Sequence, residues 1–486
     1  MEGVVFALRD SVELIKILGI PLKTIIGIGG GNNSALWRQI QSNVFNLPVA
    51  NVLPGGGPAY GAAMLASVGV NHFSSVYDCV DQWIQETNIV DPIESEVYLD
   101  DGVKSAAIVP SGASTGTHEA FELRDIENKK YLGKSVLKAI EKVNGEISKT
   151  LIGLSVEDQA KIDDTLIELD GTKQKKRLGA NAILSVSLAA SKVSAVSKNL
   201  PLYKSLGSEK TLPLPLMNII NGGAHANNSL RIQEFMIRPD KAKSFKEALN
   251  ICFLVIQKLK FLLNNKNFST NVGDEGGFAP TLSSNEEAIE FILEAIEKAG
   301  FNAGTDISLC LDVAANELFK EKKYAVNSSK FISSDKTTEY YLNLIKKYPI
   351  KSIEDPFFED DWNAWINLTK HLNKDIQIVG DDLFVTNKER LNKGIKQEVA
   401  NAILIKPNQI GTVTETIDVI NLAHKSGFKT IISHRSGDSE DTFIADLAVA
   451  TNSSQIKTGS LARSERVAKY NRLLKIEEAL GKDAKM

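Results

Sequence analysis

Ile307-Ser-Leu-Cys-Leu-Asp312 and Ile350-Lys-Ser-Ile-Glu354 are the first two of six apolar runs, each ending in a reactive side chain, that decide the fold of this chain. The other four runs are Ile376-Gln-Ile-Val-Gly-Asp381, Ala402-Ile-Leu-Ile-Lys406, Thr430-Ile-Ile-Ser-His434-Arg435 and Gln455-Ile-Lys457. Each interval between runs leaves room for one helix and two loops, which is the rhythm of a (β/α)8-type barrel. The sequence therefore predicts an α/β protein whose second half is such a barrel.

A barrel of this kind brings the carboxyl ends of its parallel strands to one face. A single acid at a strand end is more often a helix cap or a hydrogen-bonding group of a loop, but three at successive barrel positions favour a metal site. Three acids beside three bases predict a metal-assisted reaction on an anion. The side chains that we expect around one cavity are Asp312, Glu354, Asp381, Lys406, Arg435 and Lys457.

The chain has 486 residues, a formal net charge of -4 and 24% charged residues. This length predicts two or three domains. The sequence has no basic cluster of the kind that binds nucleic acid, so we expect no nucleic-acid partner. The N-terminal residues lack the pattern of a signal peptide, and no apolar run approaches the roughly 18 residues of a transmembrane helix. We therefore expect a cytoplasmic protein without membrane insertion.

Residues 1–92 differ from the rest of the chain because charged residues are sparse there and glycines are frequent. Such a shift predicts a domain boundary or a fusion point near residue 92. Within this segment Thr24-Ile-Ile-Gly-Ile reads as a strand and Ala35-Leu-Trp-Arg-Gln-Ile as a helix, with Gly29-Gly-Gly-Asn-Asn-Ser as the turn between them. That turn could present backbone N–H groups to a phosphate, and a purely structural turn fits equally well.

Four motifs of this segment resemble the C-terminal end of xylulokinases, in the FGGY sugar-kinase family, from Met1 to about Pro92. They are Glu2-Gly-Val-Val-Phe-Ala-Leu-Arg-Asp-Ser, Gly29-Gly-Gly-Asn-Asn-Ser-Ala-Leu-Trp-Arg-Gln-Ile, Val44-Phe-Asn-Leu-Pro-Val and Gly57-Pro-Ala-Tyr-Gly-Ala-Ala. In that family this part contributes to the nucleotide site, whereas the sugar site and the catalytic aspartate lie in preceding sequence that has no counterpart here. We therefore expect no working kinase.

A second resemblance, to the enolase family, extends from about Ile93 to Met486. Its main motifs are Val109-Pro-Ser-Gly-Ala-Ser-Thr-Gly-Thr-His-Glu, Met217-Asn-Ile-Ile-Asn-Gly-Gly-Ala-His225, Val272-Gly-Asp-Glu275-Gly-Gly-Phe, Ser352-Ile-Glu-Asp-Pro, Val379-Gly-Asp-Asp-Leu, Ile405-Lys-Pro-Asn-Gln-Ile-Gly, Ser433-His-Arg-Ser-Gly and Lys457-Thr-Gly-Ser. The resemblance implies a small N-terminal α+β domain over residues 93–205 and a barrel over 206–486. It also implies a lyase that interconverts 2-phosphoglycerate and phosphoenolpyruvate in glycolysis and gluconeogenesis.

Two magnesium ions per active site are expected from this resemblance. Asp312, Glu354 and Asp381 match the ligands of the first, and Ser114 matches a loop residue that binds the second. Carboxylate oxygens are the hard ligands that Mg2+ selects. The reaction needs such cations because removing a proton beside a carboxylate places two negative charges on its oxygens.

The resemblance also assigns the proton transfers. Lys406 matches the base that removes the C2 proton, Glu275 matches the acid that helps the 3-hydroxyl leave, and Glu234 supports that step. His225 matches a mobile-loop residue that closes over the substrate. From its local pattern alone Lys406 could equally bind phosphate. A lysine acts as a base near neutral pH only if its pKa is lowered.

The remaining residues of the predicted site bind the anionic groups of the substrate. Arg435 and Ser436 match phosphate-binding residues, in agreement with the planar guanidinium fork. Lys457 matches a residue that binds the substrate carboxylate, and His434 lies close by in the sequence. The residues that we also expect to contact the substrate are His225, Glu234 and Lys406.

The match departs from the enolase family at its N-terminal end. Enolases begin with a strand that leads into Asp-Ser-Arg-Gly-Asn-Pro-Thr, whereas this chain enters the second strand directly at Ile93-Glu-Ser-Glu-Val-Tyr-Leu. The missing strand belongs to a region that contributes to the family's dimer interface, so we expect a homodimer if the change permits it. The alternative is an inactive or artefactual fusion of a sugar-kinase fragment with a truncated enolase, at most a nucleotide-binding or scaffold protein.

Overall fold

The structure, a computed structural model, describes residues 22, 25–26, 35–45, 47–53, 85–90, 95–112, 116–127, 133–327, 330–372 and 375–486. The chain divides into two compact units, Met1–Glu94 and Ser95–Met486. Each unit has its own sheets, so the two are described separately.

The first unit contains a three-stranded sheet. Strand β1 (Ile25–Ile26) pairs in parallel with β2 (Val49–Leu53), and β2 pairs antiparallel with β3 (Gln85–Val90). The helix Ala35–Phe45 contacts β2 and β3. The predicted strand and helix of this segment are thus confirmed, whereas the glycine turn between them lies outside the described residues.

The second unit opens with a hairpin and a group of helices. Strand β4 (Ser95–Tyr98) pairs antiparallel with β5 (Lys104–Ala107), and among the described residues β4 has no other strand neighbour. The strand that precedes it in the chain, β3, belongs to the sheet of the first unit. The helical segments that follow are Leu137–Lys142, the π-helical turn Val143–Ile147, Ser148–Leu151, Gln159–Asp170, Ala180–Ser197 and Leu202–Leu206.

The helix Ala180–Ser197 is the centre of this small α+β layer. It contacts β4 and β5, and most of its alanine, serine and leucine side chains are buried. Among the described helices it is the one whose length and apolarity would suffice to cross a membrane, and 78% of it is buried inside the protein. Its small side chains allow neighbouring elements to approach closely, which accounts for an apolar sequence with little exposed surface.

The barrel follows, and the six predicted runs are all strands in it. Six strands follow one another around the barrel and each pairs in parallel with the next, in the order β9, β12, β13, β14, β15 and β16. A short hairpin, β10 (Phe319–Lys320) with β11 (Lys323–Tyr324), lies outside the barrel sheet. The strands of the barrel sheet are β6 (Leu214–Pro215), β7 (Met217–Asn221), β8 (Glu234–Arg238), β9 (Ser308–Asp312), β12 (Ile350–Glu354), β13 (Gln377–Gly380), β14 (Ala402–Ile405), β15 (Lys429–Ser433) and β16 (Gln455–Lys457).

One continuous segment nearly closes the barrel. Strand β6 pairs with β16 and β7 pairs with β8, while Leu216 between them donates its N–H to the carbonyl oxygen of Ile456 at 2.8 Å. Strand β8 is antiparallel to both β7 and β9, so the barrel begins with a hairpin rather than with a β-α unit. Two consecutive helices, Phe245–Asn265 and Asn285–Lys298, then connect β8 to β9.

Helices cover the outside of the barrel, and polar side chains fix where several of them begin. Ser244, Ser284, Ser333 and Thr412 each accept a hydrogen bond from a backbone N–H three residues later, as N-cap residues do. The later helices are Ser334–Lys347, Trp362–His371, Lys388–Lys396, Pro407–Ile410, Val413–Lys425, Phe443–Ala450 and Ser464–Leu480.

The interior of the barrel is layered along its axis. An apolar layer includes Cys310, Val379 and Leu404. Because side chains two residues apart on a strand point the same way, the residues two positions further on face the same interior. They are Asp312, Asp381 and Lys406, which places the charged side chains above an apolar floor at the carboxyl end of the strands.

Candidate active site

A polar cavity lies at the carboxyl ends of the barrel strands. Most residues of the predicted site line it, Glu354 is bonded to the lining residue Lys457, and Ser114 lies outside the described residues. This position is where enzymes of this architecture carry their sites. The lining residues are His225, Gln233, Glu234, Glu275, Asp312, Ala314, Asp355, Asp381, Asp382, Lys406, Ser433, His434, Arg435, Ser436 and Lys457.

One side of the cavity, the lysine wall, consists of Lys406 and Lys457 with the acids Asp312, Glu354 and Asp381. Lys457 Nζ donates to Asp312 Oδ2 and to Glu354 Oε1, each at 2.8 Å. Burial opposes the charge of Lys457, but these carboxylates and Glu234 outweigh it and raise its pKa well above the ordinary value. The lysine therefore stays protonated, which suits the binding of a carboxylate.

Lys406 has a different pairing on the same wall. Its Nζ donates to Asp381 Oδ2 at 2.5 Å, and Gln409 Nε2 donates to the other oxygen of that carboxylate at 2.8 Å. Burial lowers the pKa of Lys406, but the contact with Asp381 raises it more, so the net direction is upward. This is opposite to the lowered pKa that a lysine base requires, and the physical reason is the direct carboxylate contact.

The carboxylates of this wall fit a hard cation. Burial and Asp312 raise the pKa of Glu354 well above its usual range, and its Oε2 has no hydrogen-bond partner among the described residues. An orphaned carboxylate oxygen beside further buried acids is the chemistry that Mg2+ selects. Near this wall, however, the three carboxylates whose oxygens come within 4.8 Å of one another are Asp355, Asp381 and Asp382, and a second such group of the cavity is His225, Glu234 and Glu275. Lys457 lies between Asp312 and Glu354 instead.

Two further acids of this group were not predicted as site residues. Asp355 accepts the backbone N–H groups of Asp381 and Asp382 at 2.9 and 2.8 Å. Burial and Asp381 raise the pKa of Asp382 to about 8. Asp355 belongs to the Glu-Asp-Pro motif and Asp382 to the Gly-Asp-Asp-Leu motif, so both motifs indicated a site. The sequence did not indicate that both acids of each motif would belong to the cavity.

A second group of cavity residues, the imidazole wall, consists of His225, His434 and Glu275. His434 Nε2 lies 3.2 Å from Glu275 Oε1, and His225 Nδ1 lies 3.6 Å from the same oxygen. Asn218 Nδ2 donates to Glu275 Oε2 at 3.1 Å. Burial raises the pKa of Glu275, but the two histidines outweigh it and hold that pKa well below the ordinary value.

Glu234 lies between the two walls. Its Oε1 is 3.0 Å from Lys457 Nζ and 3.9 Å from His225 Nδ1. Burial and the negative charge of Glu275 raise its pKa well above the ordinary value. The two glutamates thus form a coupled pair whose pKa values are shifted in opposite directions, upward for Glu234 and downward for Glu275.

The loop that follows β15 brings a cation to the rim of the cavity. Arg435 Nη1 and Nη2 donate to the two carboxylate oxygens of Glu119 at 2.8 and 3.2 Å, and Nη1 also donates to Asn408 Oδ1 at 3.0 Å. Ser111 and Gly437 exchange two backbone hydrogen bonds beside this contact. The small α+β domain therefore reaches the rim of the site, and Glu119 already stands in the Thr-His-Glu motif of the sequence.

Comparisons with known proteins agree with this architecture. Residues 209–486 match the family model "Enolase, C-terminal TIM barrel domain", and residues 87–206 match "Enolase, N-terminal domain". Residues 1–70 match the C-terminal domain of the FGGY family of carbohydrate kinases. An enolase from Pelagibacter ubique (strain HTCC1062) is 65% identical over 396 residues, which are 81% of this chain and 94% of that protein.

Proposed function

Since this chain belongs to the enolase family, we propose that it catalyses the Mg2+-dependent, reversible dehydration of 2-phosphoglycerate to phosphoenolpyruvate. The family predicted from the sequence is confirmed, and the enolase interpretation holds over the alternative of an inactive fusion. The observation that carries the proposal is the cavity itself, which combines two lysines bonded to buried acids with a glutamate that lies near two histidines.

Asp312, Glu354 and Asp381 would hold the first Mg2+, as predicted from the sequence, and Ser114 would contribute to a second. Bound there, Mg2+ would stabilise the negative charge that develops on the substrate carboxylate when the C2 proton leaves. The orphaned Glu354 Oε2 and the oxygen-only donor set support this assignment. The neighbouring Asp355 holds the backbone at Asp381, so it would orient a ligand rather than be one.

Lys406 would accept the C2 proton. It lies at the end of β14, lines the cavity and has a side chain that is 14% exposed. Arg435 and Lys457 lower its pKa, whereas Asp381 raises it. A cation held by Asp381 would weaken the influence that keeps Lys406 protonated, and the two neighbouring cations would then favour the neutral amine that a base requires.

Glu275 and Glu234 would deliver the proton to the departing 3-hydroxyl. The raised pKa of Glu234 keeps one proton within the pair, and Glu275 is the member that His225 and His434 face. A pair that shares one proton can donate it from either carboxylate, so the acid of this step is the pair. His225 would also close over the substrate, as predicted.

The substrate anions would bind to the remaining cations. Lys457 would take the substrate carboxylate, and Arg435 with Ser436 would take the phosphate beside His434. Arg435 already holds a carboxylate with a two-pronged contact, that of Glu119, which is the geometry a phosphate uses. Both cations lie close enough to Lys406 to lower its pKa, so the base would lie near both anionic ends of the substrate.

We also propose a cytoplasmic homodimer with no nucleic-acid partner and no membrane insertion. Membership of the enolase family supports the dimer, and the edge of β4 that has no strand neighbour in the described part of the chain is the place where the altered N-terminal end would weaken it. Light scattering of the purified full chain measures the oligomer directly. We assign no kinase activity to the FGGY-like segment, so the full chain with ATP and xylulose should yield no xylulose 5-phosphate.

The proposed reaction is tested with the purified full chain, 2-phosphoglycerate and Mg2+, following the appearance of phosphoenolpyruvate. We expect turnover in the wild type and a fall of about 100-fold to 10,000-fold in Lys406→Ala, because a positioned base contributes that much to a proton transfer. Lys388→Ala, an exposed lysine paired with Asp418, is the matched control and should keep full activity. Folded wild-type protein without activity would contradict the proposal.

A further inference from the structure

Arg466 is a buried arginine near the start of the last helix, Ser464–Leu480, and none of the roles above uses it. Its exposed fraction is 0%, and a guanidinium removed from water is costly unless its N–H groups are bonded. Two of those groups bind the loop that carries the proposed phosphate site. Nη1 donates to the carbonyl oxygen of Arg435 at 2.6 Å and Nη2 donates to that of Ser436 at 2.5 Å.

The third bond of Arg466 reaches the imidazole wall. Nη1 lies 2.6 Å from His434 Nδ1, and because a guanidinium only donates, this ring nitrogen must accept. In a neutral ring the hydrogen then resides on Nε2, which lies 3.2 Å from Glu275 Oε1. Burial lowers the pKa of His434 to about 4, so the ring is neutral near pH 7. The arginine thus selects the tautomer that places the hydrogen on Nε2, the ring nitrogen nearer to Glu275.

The residues around the side chain of Arg466 leave room for it to reach these acceptors. Nη2 also lies 3.4 Å from the carbonyl oxygen of Asp274, the residue before Glu275. At Gly459, with φ of 71°, an added Cβ would lie 2.9 Å from Arg466 Cδ, so a side chain at that position would collide with the arginine. Arg466 therefore bridges the loop of Glu275 and the loop of residues 434–436.

A second arginine of the same helix shows what an ordinary structural contact looks like. Arg472 donates to both carboxylate oxygens of Asp446, at 2.8 and 2.5 Å, and none of its hydrogen bonds reaches the cavity lining. Arg466 by contrast has its closest carboxylate contact with Glu465, at 3.6 Å from Nε, while its short bonds go to Arg435, Ser436 and His434.

We propose that Arg466 is a positioning residue of the active site, which fixes the tautomer of His434 beside Glu275 and holds the backbone of residues 434–436 without touching the substrate. This inference rests on the proposed function only for its effect on turnover. The contact with His434 is a property of the folded chain and can be measured without substrate.

The test compares Arg466→Met and Arg466→Lys with Arg472→Met, in the full chain. The chain has six histidines, so protein labelled with 15N-histidine gives few ring signals in NMR, and the spectrum of His434→Gln identifies the signal of His434. In the wild type we expect an unprotonated Nδ1 and a protonated Nε2. In Arg466→Met the tautomers should mix, and kcat should fall about 100-fold, as for a small displacement of reacting groups.

Two further readouts separate positioning from general damage. The Mg2+ concentration for half-activation should stay as in the wild type, because within the described part of the chain the hydrogen bonds of Arg466 go to residues other than Asp312, Glu354 and Asp381. Arg466→Lys keeps the positive charge on a single donor nitrogen, so its kcat should fall less than that of Arg466→Met. Arg472→Met should keep the wild-type kcat and the wild-type signal of His434.

A folded Arg466→Met protein with wild-type kcat and an unchanged His434 signal would overturn the inference, as would a loss of kcat with no change in that signal. If Arg466→Met does not fold, Arg466→Lys decides by the same two readouts. A wild-type chain that forms no phosphoenolpyruvate would refute the proposed function, while the His434 tautomer would still test the contact.

Discussion

The lysine wall and the imidazole wall hold buried carboxylates in different ways. On the lysine wall, Asp312, Glu354 and Asp381 are each bonded directly to an ammonium group at 2.5 to 2.8 Å. On the imidazole wall, Glu275 has two histidines at 3.2 and 3.6 Å and an amide at 3.1 Å. An ammonium group in direct contact gives the carboxylate a partner with a full positive charge, which a bound metal cation can replace. An imidazole gives the carboxylate a positively charged partner only when the ring is protonated.

This difference separates the two proton transfers of the proposed reaction. The group that accepts the C2 proton, Lys406, has two neighbouring cations that oppose its charge and the carboxylate of Asp381, which favours that charge and outweighs them. The group that must donate one belongs to the pair of Glu234 and Glu275, whose pKa values are shifted in opposite directions. Pairs of titratable groups with such opposed environments are the usual basis of acid and base assignments. Each wall should therefore control one step.

The largest expected effect separates those steps. In D2O with Mg2+, Lys406→Ala should lose both the exchange of the C2 hydrogen of 2-phosphoglycerate and the formation of phosphoenolpyruvate. Glu275→Gln should keep the exchange and lose about 100-fold to 10,000-fold in product formation, because only the departure of the hydroxyl needs the acid. NMR of the recovered substrate measures the exchange, and an assay of phosphoenolpyruvate measures the second step.

The matched control for this experiment is Glu286→Gln, a carboxylate in the first turn of the helix Asn285–Lys298 and outside the cavity lining. It should leave both rates unchanged. Loss of exchange in Glu275→Gln together with retained exchange in Lys406→Ala would reverse the roles of the two walls.

The next expected effect concerns Mg2+ binding. It distinguishes the predicted ligands of the lysine wall from the neighbouring acids Asp355 and Asp382. If the predicted ligands are correct, Asp312→Asn should raise the Mg2+ concentration for half-activation by more than about 10-fold, because even changes in outer groups cost metal sites that much. Asp382→Asn should raise it less. Chelation should abolish activity in every variant, and added Mg2+ should restore it.

Isothermal titration of the chelated protein with Mg2+ measures the affinity without substrate. A strong loss of affinity in Asp382→Asn beside an unchanged Asp312→Asn would show that the cation binds among Asp355, Asp381 and Asp382, whose oxygens come within 4.8 Å of one another. The ligand set predicted from the sequence would then be wrong.

The sequence predicted the barrel and the lysine wall well because both follow from local patterns. Apolar runs of strand length recur at helix-sized intervals, and a side chain two residues beyond an inward-facing one also faces inward, as Asp381 follows Val379. The antiparallel direction of β8 was not predicted, since Glu234–Arg238 has the same alternation whichever way the strand runs. Strand direction is set by pairing with distant segments.

The imidazole wall and its support were harder to predict. Asp355 adopts a positive φ of 41°, and its side chain accepts a hydrogen bond from the backbone N–H of Asp381. No residue pattern predicts a positive φ for a residue other than glycine at this position. Arg466 stands in Ser-Glu-Arg-Val-Ala-Lys, which reads as the exposed first turn of a helix. Its burial depends on long-range packing against residues 434–436 and Gly459, so only the folded structure reveals it.

The smallest expected effect is on stability in the metal-free protein, where the two walls should respond to pH with opposite signs. The pKa of His434 is lowered to about 4 from 6.5, so the stability it contributes is present above pH 6.5 and is lost as the pH falls toward 4. The pKa of Asp382 is raised to about 8 from 3.8, so its contribution is present at low pH and is lost as the pH rises from about 4 to about 8.

Urea unfolding in the presence of a chelator, repeated across this pH range, measures both slopes. Between about pH 4 and 6.5 the two slopes oppose each other, so His434→Gln should make the free energy of unfolding fall more steeply as the pH rises there. Asp382→Asn should flatten the fall between about pH 6.5 and 8, where His434 no longer titrates. Each change amounts to at most about 1.4 kcal/mol per pH unit, the limit for one proton. His371→Gln and Asp418→Asn are the controls, because both side chains lie at the surface outside the cavity lining. If His434→Gln instead flattened the pH dependence of the free energy of unfolding that we assign to Asp382, and Asp382→Asn the one that we assign to His434, the charge states proposed for the two groups would be wrong.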